Sequence, residues 1–274
     1  QYEDFTALLQ AEMEAEPGPE IAALAGQIRQ GAVAPSQAPA AGRAEAAPRV
    51  SAPVEKGRAI PGSGLPVQTT PFVGRKRELE DLTALLAQDE HSLITLVGPG
   101  GIGKTRLAIQ VGEQARERFP DGVVFIPLAP LNSERSLLPA LASILRVNLL
   151  DQADPLDQMI RYLAEKKVLL IWDNFEHLIG SAVLLVEFLL GAPSLKMLVT
   201  SRERLNLASE TVFEVSGLGF PGEDQMELDQ FSSYQLFVQS ARRANPAYRP
   251  AEEEKAHIAH ICRLVEGMPL AIEL

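Results

Sequence analysis

The stretch "LITLVGPGGIGKTRLAIQV", residues 93–111, decides how the rest of this chain is read. Residues 93–97 are a short apolar run of the kind that forms a buried strand. The segment that follows, from Gly98 to Thr105, satisfies the spacing G-x-x-x-x-G-K-[ST] at every fixed position. Glycines adopt backbone conformations closed to other residues, so successive N–H groups can all turn into one concavity. A helix opening at about Gly103 adds its free N–H groups and positive dipole end. This strand, loop and helix together form a phosphate-binding loop. Lys104 is placed to reach β- and γ-phosphates, and the Thr105 hydroxyl to ligate Mg²⁺. The candidate nucleotide-binding set at the loop is Gly98, Gly100, Gly101, Ile102, Gly103, Lys104, Thr105 and Arg106.

Such a loop predicts a second strand ending in an acid that helps hold the metal. "VLLIWDNFEH", residues 168–177, supplies Asp173 at the carboxyl end of an apolar strand, where ligands of open α/β sheets collect. Thr105 and Asp173 are thus the candidate metal residues, Asp173 mostly through water. Many ATPases with this loop place a second acid directly after that Asp. Here the position is Asn174, which cannot accept a proton as a carboxylate can. Glu176 or His177 in the following loop are the alternatives for a base, against the plainer reading of solvated loop residues. A weak base implies slow hydrolysis and favours a switch. In "MLVTSR", residues 197–202, a strand ends in Arg202 on the same edge of the sheet. Arg202 can contact a γ-phosphate and report its presence, the alternative being a surface pair with Glu203. Lys104, Asp173, Arg202 and Glu176 form the candidate catalytic set. No N-K-x-D or T-K-x-D guanine reader follows a strand, so the nucleotide is ATP or ADP rather than GTP.

Around this centre the pattern alternates. Helices are expected at 76–86, 103–118, 134–146 and 155–166, and strands at 93–97, 123–129, 168–173, 194–201 and 211–215. Continuous apolar strands between helices predict a mostly parallel, roughly five-stranded sheet covered on both faces, an α/β fold of the P-loop NTPase type. After about residue 219 the pattern turns all-helical, at 232–243, 252–266 and again from Pro269. Ahead of it, residues 1–30 read as two short helices and residues 31–70, rich in Ala and Pro, as a disordered linker. The expected division is therefore 1–30, 31–70, a nucleotide-binding domain at 71–218 and a helical subdomain at 219–274. The chain opens at Gln1 and stops inside a helical pattern, which reads as a segment of a longer protein.

The 274 residues carry a net charge of −11, which argues against nucleic-acid binding through this segment's own surface. A single cysteine, Cys262, allows no disulfide within the chain and suits the cytoplasm. No apolar run reaches the roughly 18 to 20 residues of a membrane span. His257, His260 and Cys262 lie close in sequence but lack the converging ligands of a metal site, and Trp172 reads as core.

Five segments in order carry a resemblance. "PFVGRKRELEDL" (71–82), "GPGGIGKTRLA", "LLIWDNFEHL", "LVTSRERL" and the closing "GMPLAIEL" resemble the NB-ARC (AP-ATPase) branch of the STAND signalling ATPases. The likeness is strongest to bacterial regulators that read D-N-x-E-H after the Asp, and it covers about residues 70–274. It implies that Val73 and Arg75 lie near the adenine, and Pro269 against the adenine or ribose. It implies nucleotide held between two subdomains, with ADP keeping them closed and ATP releasing an oligomerising state. The stub at 1–30 is similar to the end of a TPR-like bacterial transcriptional activation domain, which would place the whole in a SARP-type regulator. DNA contact would then come from a domain outside this chain, and an unknown small molecule or protein would act as inducer. Asn174 departs from many relatives, and the winged-helix segment that usually follows, with its nucleotide-reading His, does not occur in these residues. Two other readings stay open. One is a multiple-turnover ATPase of the AAA+ type, a loader or remodeller, to which "FVGRKREL" is also close. The other is a small-molecule kinase, for which no acceptor motif is visible.

Overall fold

A computed structural model describes residue 60 and residues 64–274, apart from 132, 151, 152, 224 and 226. The expected helical stub and almost all of the expected linker lie outside the described residues. In chain order the elements are α1 (Lys76–Ala87), β1 (Leu93–Val97), α2 (Lys104–Gln114), β2 (Gly122–Pro127), α3 (Leu137–Leu145), α4 (Pro155–Leu163), β3 (Val168–Asp173), α5 (Val183–Gly191), β4 (Lys196–Ser201), β5 (Glu210–Glu214), α6 (Ser232–Ala244), α7 (Glu252–Leu264) and α8 (Pro269–Glu273). The strands form one five-stranded sheet in the order β2-β3-β4-β1-β5. Every pairing is parallel.

The period-2 alternation of strand side chains divides the core into two layers. Val168, Leu170 and Trp172 of β3 point to one face, where Met197 and Val199 of β4 join them under α3, α4 and α5. Leu169 and Ile171 point to the other, with Ile94, Leu96 and Leu198, beneath α1 and α2. Burial on both faces is why these strands read as continuous apolar runs. Trp172 is fully buried and packs edge-on against Phe175, their ring centroids 6.3 Å apart.

Several elements differ from the sequence reading. The helix after the phosphate loop ends at Gln114, and Arg116–Arg118 is a 3₁₀ turn. Glu134–Ser136 is likewise a 3₁₀ turn ahead of α3. Helix α5 went unassigned because "VLLVEFLLG" is apolar nearly all round and carries no amphipathic period.

The packed body also begins ahead of Pro71. Ile60 is 2% exposed, sits in the first core layer, and its N–H donates to the Asp121 carbonyl at 2.9 Å. Leu65 packs into the second layer. These are large apolar residues in a stretch otherwise made of Pro, Gly, Ser and Ala, and they find apolar surface to cover.

Beyond β5 the chain is helical. Tyr234 of α6 with Ile258 and Cys262 of α7 make a small separate core. The tail is tied to the sheet by a tight crossing: the Leu218 N–H donates to the Gly267 carbonyl at 2.8 Å. Gly267 has φ +66°, and a Cβ there would lie 2.0 Å from the Leu218 carbonyl oxygen, so only glycine fits.

Trp172→Ala is expected to cost about 3–5 kcal/mol through the cavity it opens. Trp172→Phe is expected to cost markedly less, because the buried indole N–H has no hydrogen-bond partner to lose. Urea denaturation of the two variants measures both.

Candidate functional site

Parallel register brings the chemistry to one edge. Val97 at the end of β1 stands beside Ser201 at the end of β4, and Leu96 beside Thr200. Trp172 of β3 pairs with Val199, so the next residues, Asp173 and Thr200, are neighbours. The strand order turns at β1, and the loop that follows β1 occupies the crevice at the carboxyl ends.

Asp173 organises this edge. Its Oδ1 accepts the Thr105 hydroxyl at 2.6 Å and the Thr200 hydroxyl at 2.7 Å. The Thr200 oxygen in turn accepts the Asn174 backbone N–H at 3.0 Å. Asn174 has φ +64°. This left-handed turn sends Phe175 into the core and leaves Glu176 half-buried at the cavity wall.

Lys104 is 9% exposed and folds back over the loop, its Nζ donating to the Gly98 and Pro99 carbonyls at 2.7 and 3.0 Å. Burial holds its pKa below the usual lysine value, while the charges of Glu176 and Asp173 oppose that shift and Arg202 adds to it. Arg202 lies across the loop crest, its Nε 3.1 Å from Glu176 Oε1.

The cavity bounded by these groups has a volume of about 290 Å³. Gly100, Gly101, Gly103, Lys104, Thr105 and Arg106 form its floor, with Asn174, Glu176 and Arg202 on one wall. The opposite wall belongs to the helical tail: Pro269, Leu270 and Glu273 of α8. The contact is intimate. The Leu270 N–H donates to the Gly101 carbonyl at 3.2 Å. A Cβ on Gly101, whose φ is +79°, would come within 2.8 Å of the Leu270 side chain. A narrower recess of about 30 Å³ continues between Phe72, Val73, Arg75, Leu218, Leu236 and Pro269.

Two of the expected residues act from behind the cavity. Gly98 contributes its carbonyl to Lys104, and Ile102 buries its side chain in the core. Arg75 lines the recess, but its guanidinium is spent on the protein. Its Nη2 donates to the Ile102 carbonyl at 2.7 Å and the Ser216 carbonyl at 2.9 Å, and its Nη1 pairs with Glu78 at 3.2 Å. Burial lowers its pKa against the support of Glu78. Arg106 Nη2 donates to the Thr70 and Pro71 carbonyls, both at 2.9 Å, and so pins the segment that leads into Val73. His177 faces elsewhere, its Nε2 lying 3.1 Å from the Leu128 carbonyl oxygen. Arg202 pairs with Glu176 rather than with its neighbour Glu203. Sequence reasoning missed Thr200, although a hydroxyl at the last turn of a strand on this edge was a visible signal. It also missed Leu270 and Glu273, whose place depends on how the tail folds back.

The AAA domain family matches residues 87–223, from the end of α1 to beyond β5. The chain belongs to this family. An AAA domain is a P-loop nucleotide-binding fold, which agrees with the parallel sheet and the loop after β1. The chain is 38% identical over 195 residues to a Mycobacterium tuberculosis protein that carries the name of an HTH-type transcriptional regulator, a match covering 70% of this chain and 20% of that one. It is 32% identical over 216 residues to the regulatory protein AfsR of Streptomyces griseus, covering 74% of this chain and 20% of that one. The chain thus spans about a fifth of the length of these curated relatives. In fold the chain is similar to the crystal structure of Cdc6p from Pyrobaculum aerophilum, with a TM-score of 0.50 at 15% identity over 76% of this chain and 63% of that one.

Thr200→Val removes a hydroxyl that is 1% exposed and leaves the Asn174 N–H without its acceptor. The expected cost is about 1–3 kcal/mol of stability, read from the shift in urea midpoint at constant m.

Proposed function

We propose that this chain is an ATP/ADP-binding signalling switch, the nucleotide module of a bacterial transcriptional regulator of the NB-ARC branch of STAND ATPases. The observation that carries this reading is the shared wall of the cavity. The phosphate loop forms one side, α8 of the helical tail forms the other, and the Leu270 N–H bonds directly to the loop carbonyl of Gly101. A nucleotide in this space touches both parts and biases how they sit together. The regulator names carried by its relatives support the same reading.

In this proposal residues 1–30 end an activation domain, the linker expected at 31–70 gives way by Ile60 to a nucleotide-binding domain that runs to 218, and 219–274 are the helical subdomain. The loop N–H groups and Lys104 hold the phosphates, and the narrow recess beside Val73, Arg75 and Pro269 widens from its present volume of about 30 Å³ to take the adenine. Among the described residues no group of three or more His, Cys, Asp or Glu could hold a metal ion by itself. Magnesium fits this site only as a shared ion, held by the Thr105 hydroxyl and through water by Asp173, with phosphate oxygens and water completing its shell. The Thr105 hydroxyl already donates its proton to Asp173, which leaves its oxygen lone pairs free for a cation. The ion would supply charge neutralisation at the phosphates. Glu176 is the carboxylate at the cavity wall and the candidate base, and Arg202 reads the γ-phosphate. With Asn174 following Asp173, hydrolysis is slow and the diphosphate state persists. In this reading the protein works in the cytoplasm, self-associates when ATP is bound, and meets DNA through a segment outside this chain. Among the described residues no helix is long and apolar enough to cross a membrane.

The first test is the nucleotide content of the freshly purified chain, released with acid and quantified per chain. Near-stoichiometric ADP is the expected result. An empty site with rapid turnover of added ATP would favour a multiple-turnover ATPase instead. Lys104→Ala is expected to abolish ADP and ATP binding in calorimetry, and unchanged affinity would sink the phosphate assignment. Asp173→Ala is expected to leave metal-free binding measurable while removing most of the gain that magnesium brings.

A further inference from the structure

We propose that Glu176 and Arg202 form an interlock that makes the cavity select triphosphate over diphosphate and keeps the hydrolytic base idle until a γ-phosphate arrives. The proposal rests on the reading that this cavity takes an adenine nucleotide.

Arg202 ends β4 and reaches over the loop. Its Nη2 lies 3.6 Å from the position a Cβ on Gly100 would occupy, so the guanidinium sits on the crest that faces the phosphates. Its only ion-pair partner among the described residues is Glu176, through Nε and Oε1 at 3.1 Å. Glu176 is anchored by little else. Its second oxygen, Oε2, is buried and has no hydrogen-bond partner. A desolvated acceptor without a donor is costly, so this carboxylate is open to a hydrogen bond from a water at the cavity once Arg202 leaves it. Glu176 is also the charge that most favours the Lys104 ammonium, ahead of Asp173, which places it among the cations that would meet the phosphates.

The pair is easily displaced. The Arg202 side chain is 67% exposed, and exposed ion pairs are weak. A γ-phosphate offers the guanidinium a more highly charged, bidentate partner. ADP offers nothing at that position, so the pair stays closed. Once Arg202 turns to the γ-phosphate, Glu176 loses its partner beside the reacting group. The attacking water gives a proton to the Glu176 carboxylate, its oxygen forms a bond to the γ-phosphorus, and the bond from that phosphorus to the β,γ-bridging oxygen breaks, its electron pair leaving with ADP. Release of phosphate returns Arg202 to Glu176, and the proton passes to water. Arg202 therefore acts as a positioning residue for Glu176 as well as a reader of nucleotide state.

A double-mutant cycle on the whole chain tests this. Affinities for Mg-ADP and for the non-hydrolysable triphosphate adenylyl imidodiphosphate are measured by calorimetry in the unmutated chain, Glu176→Gln, Arg202→Gln and the double variant. Glu176→Gln frees Arg202, and the preference for triphosphate over ADP is expected to rise about two- to five-fold. In the Arg202→Gln background the same substitution is expected to leave that preference unchanged. An equal rise in both backgrounds would mean that only charge repulsion with the γ-phosphate was relieved, and would overturn the interlock. So would the absence of any rise in the presence of Arg202. Failure of the unmutated chain to bind ADP at all would instead bring down the nucleotide reading beneath it.

Discussion

One carboxylate oxygen ties the working edge of this protein together. Asp173 Oδ1 receives hydroxyls from the phosphate loop and from β4 while sitting at the end of β3. Two strands and the first turn of α2, distant in sequence, are thereby fixed to a common point. The bonds are short, charge-assisted and partly screened from water, which makes them stronger than neutral ones of the same length. The Asn174 turn hangs from the same network through Thr200, and the placement of Glu176 follows from that turn. The geometry of the cavity wall is therefore set by the sheet register and not by the loop alone.

The second constraint is steric. The helical tail folds back over the loop because glycines at three crossings leave room for it. Gly217 and Gly267 let the chain after β5 pass within hydrogen-bond distance of the turn before α8, and Gly101 admits the Leu270 side chain. The tail adds its own small core of Tyr234, Ile258 and Cys262, so it packs as a unit while sharing a wall with the nucleotide-binding body. An outer clasp joins Arg243 of α6 to Glu273 of α8 at 2.8 Å and keeps the short last helix in place. A body, a tail and a cavity between them are the physical ingredients of a population shift. The exposed pair at Arg202 is the weaker contact of this edge and the part-buried network at Asp173 the stronger.

Arg75 and Arg106 show how the same residue type serves the scaffold. Both line the cavity or its recess, and both also spend donors on backbone carbonyls. Arg106 grips the segment at Thr70 and Pro71, and Arg75 bridges the loop to the strand-end at Ser216. They shape the recess by holding its walls. A five-donor guanidinium suits that task, since it can satisfy several carbonyls at once in a fixed plane.

The sequence by itself determined the α/β class, the parallel sheet and its five strands, the phosphate loop, and the acid and arginine at the neighbouring strand ends. These are legible because they depend on local spacing: apolar runs of strand length, glycines where N–H groups must converge, and a polar residue at the last position of a strand. Tertiary structure alone decided the strand order, the sharing of Asp173 between two threonines, the pairing of Arg202 with Glu176 rather than Glu203, and the return of Leu270 and Glu273 to the cavity. It also decided that Ile60 and Leu65 belong to the packed body, and it turned an aperiodic apolar run into α5. In each case the outcome depends on register and packing between segments far apart in the chain. A one-dimensional pattern carries the preference of each segment but not the partner it will meet.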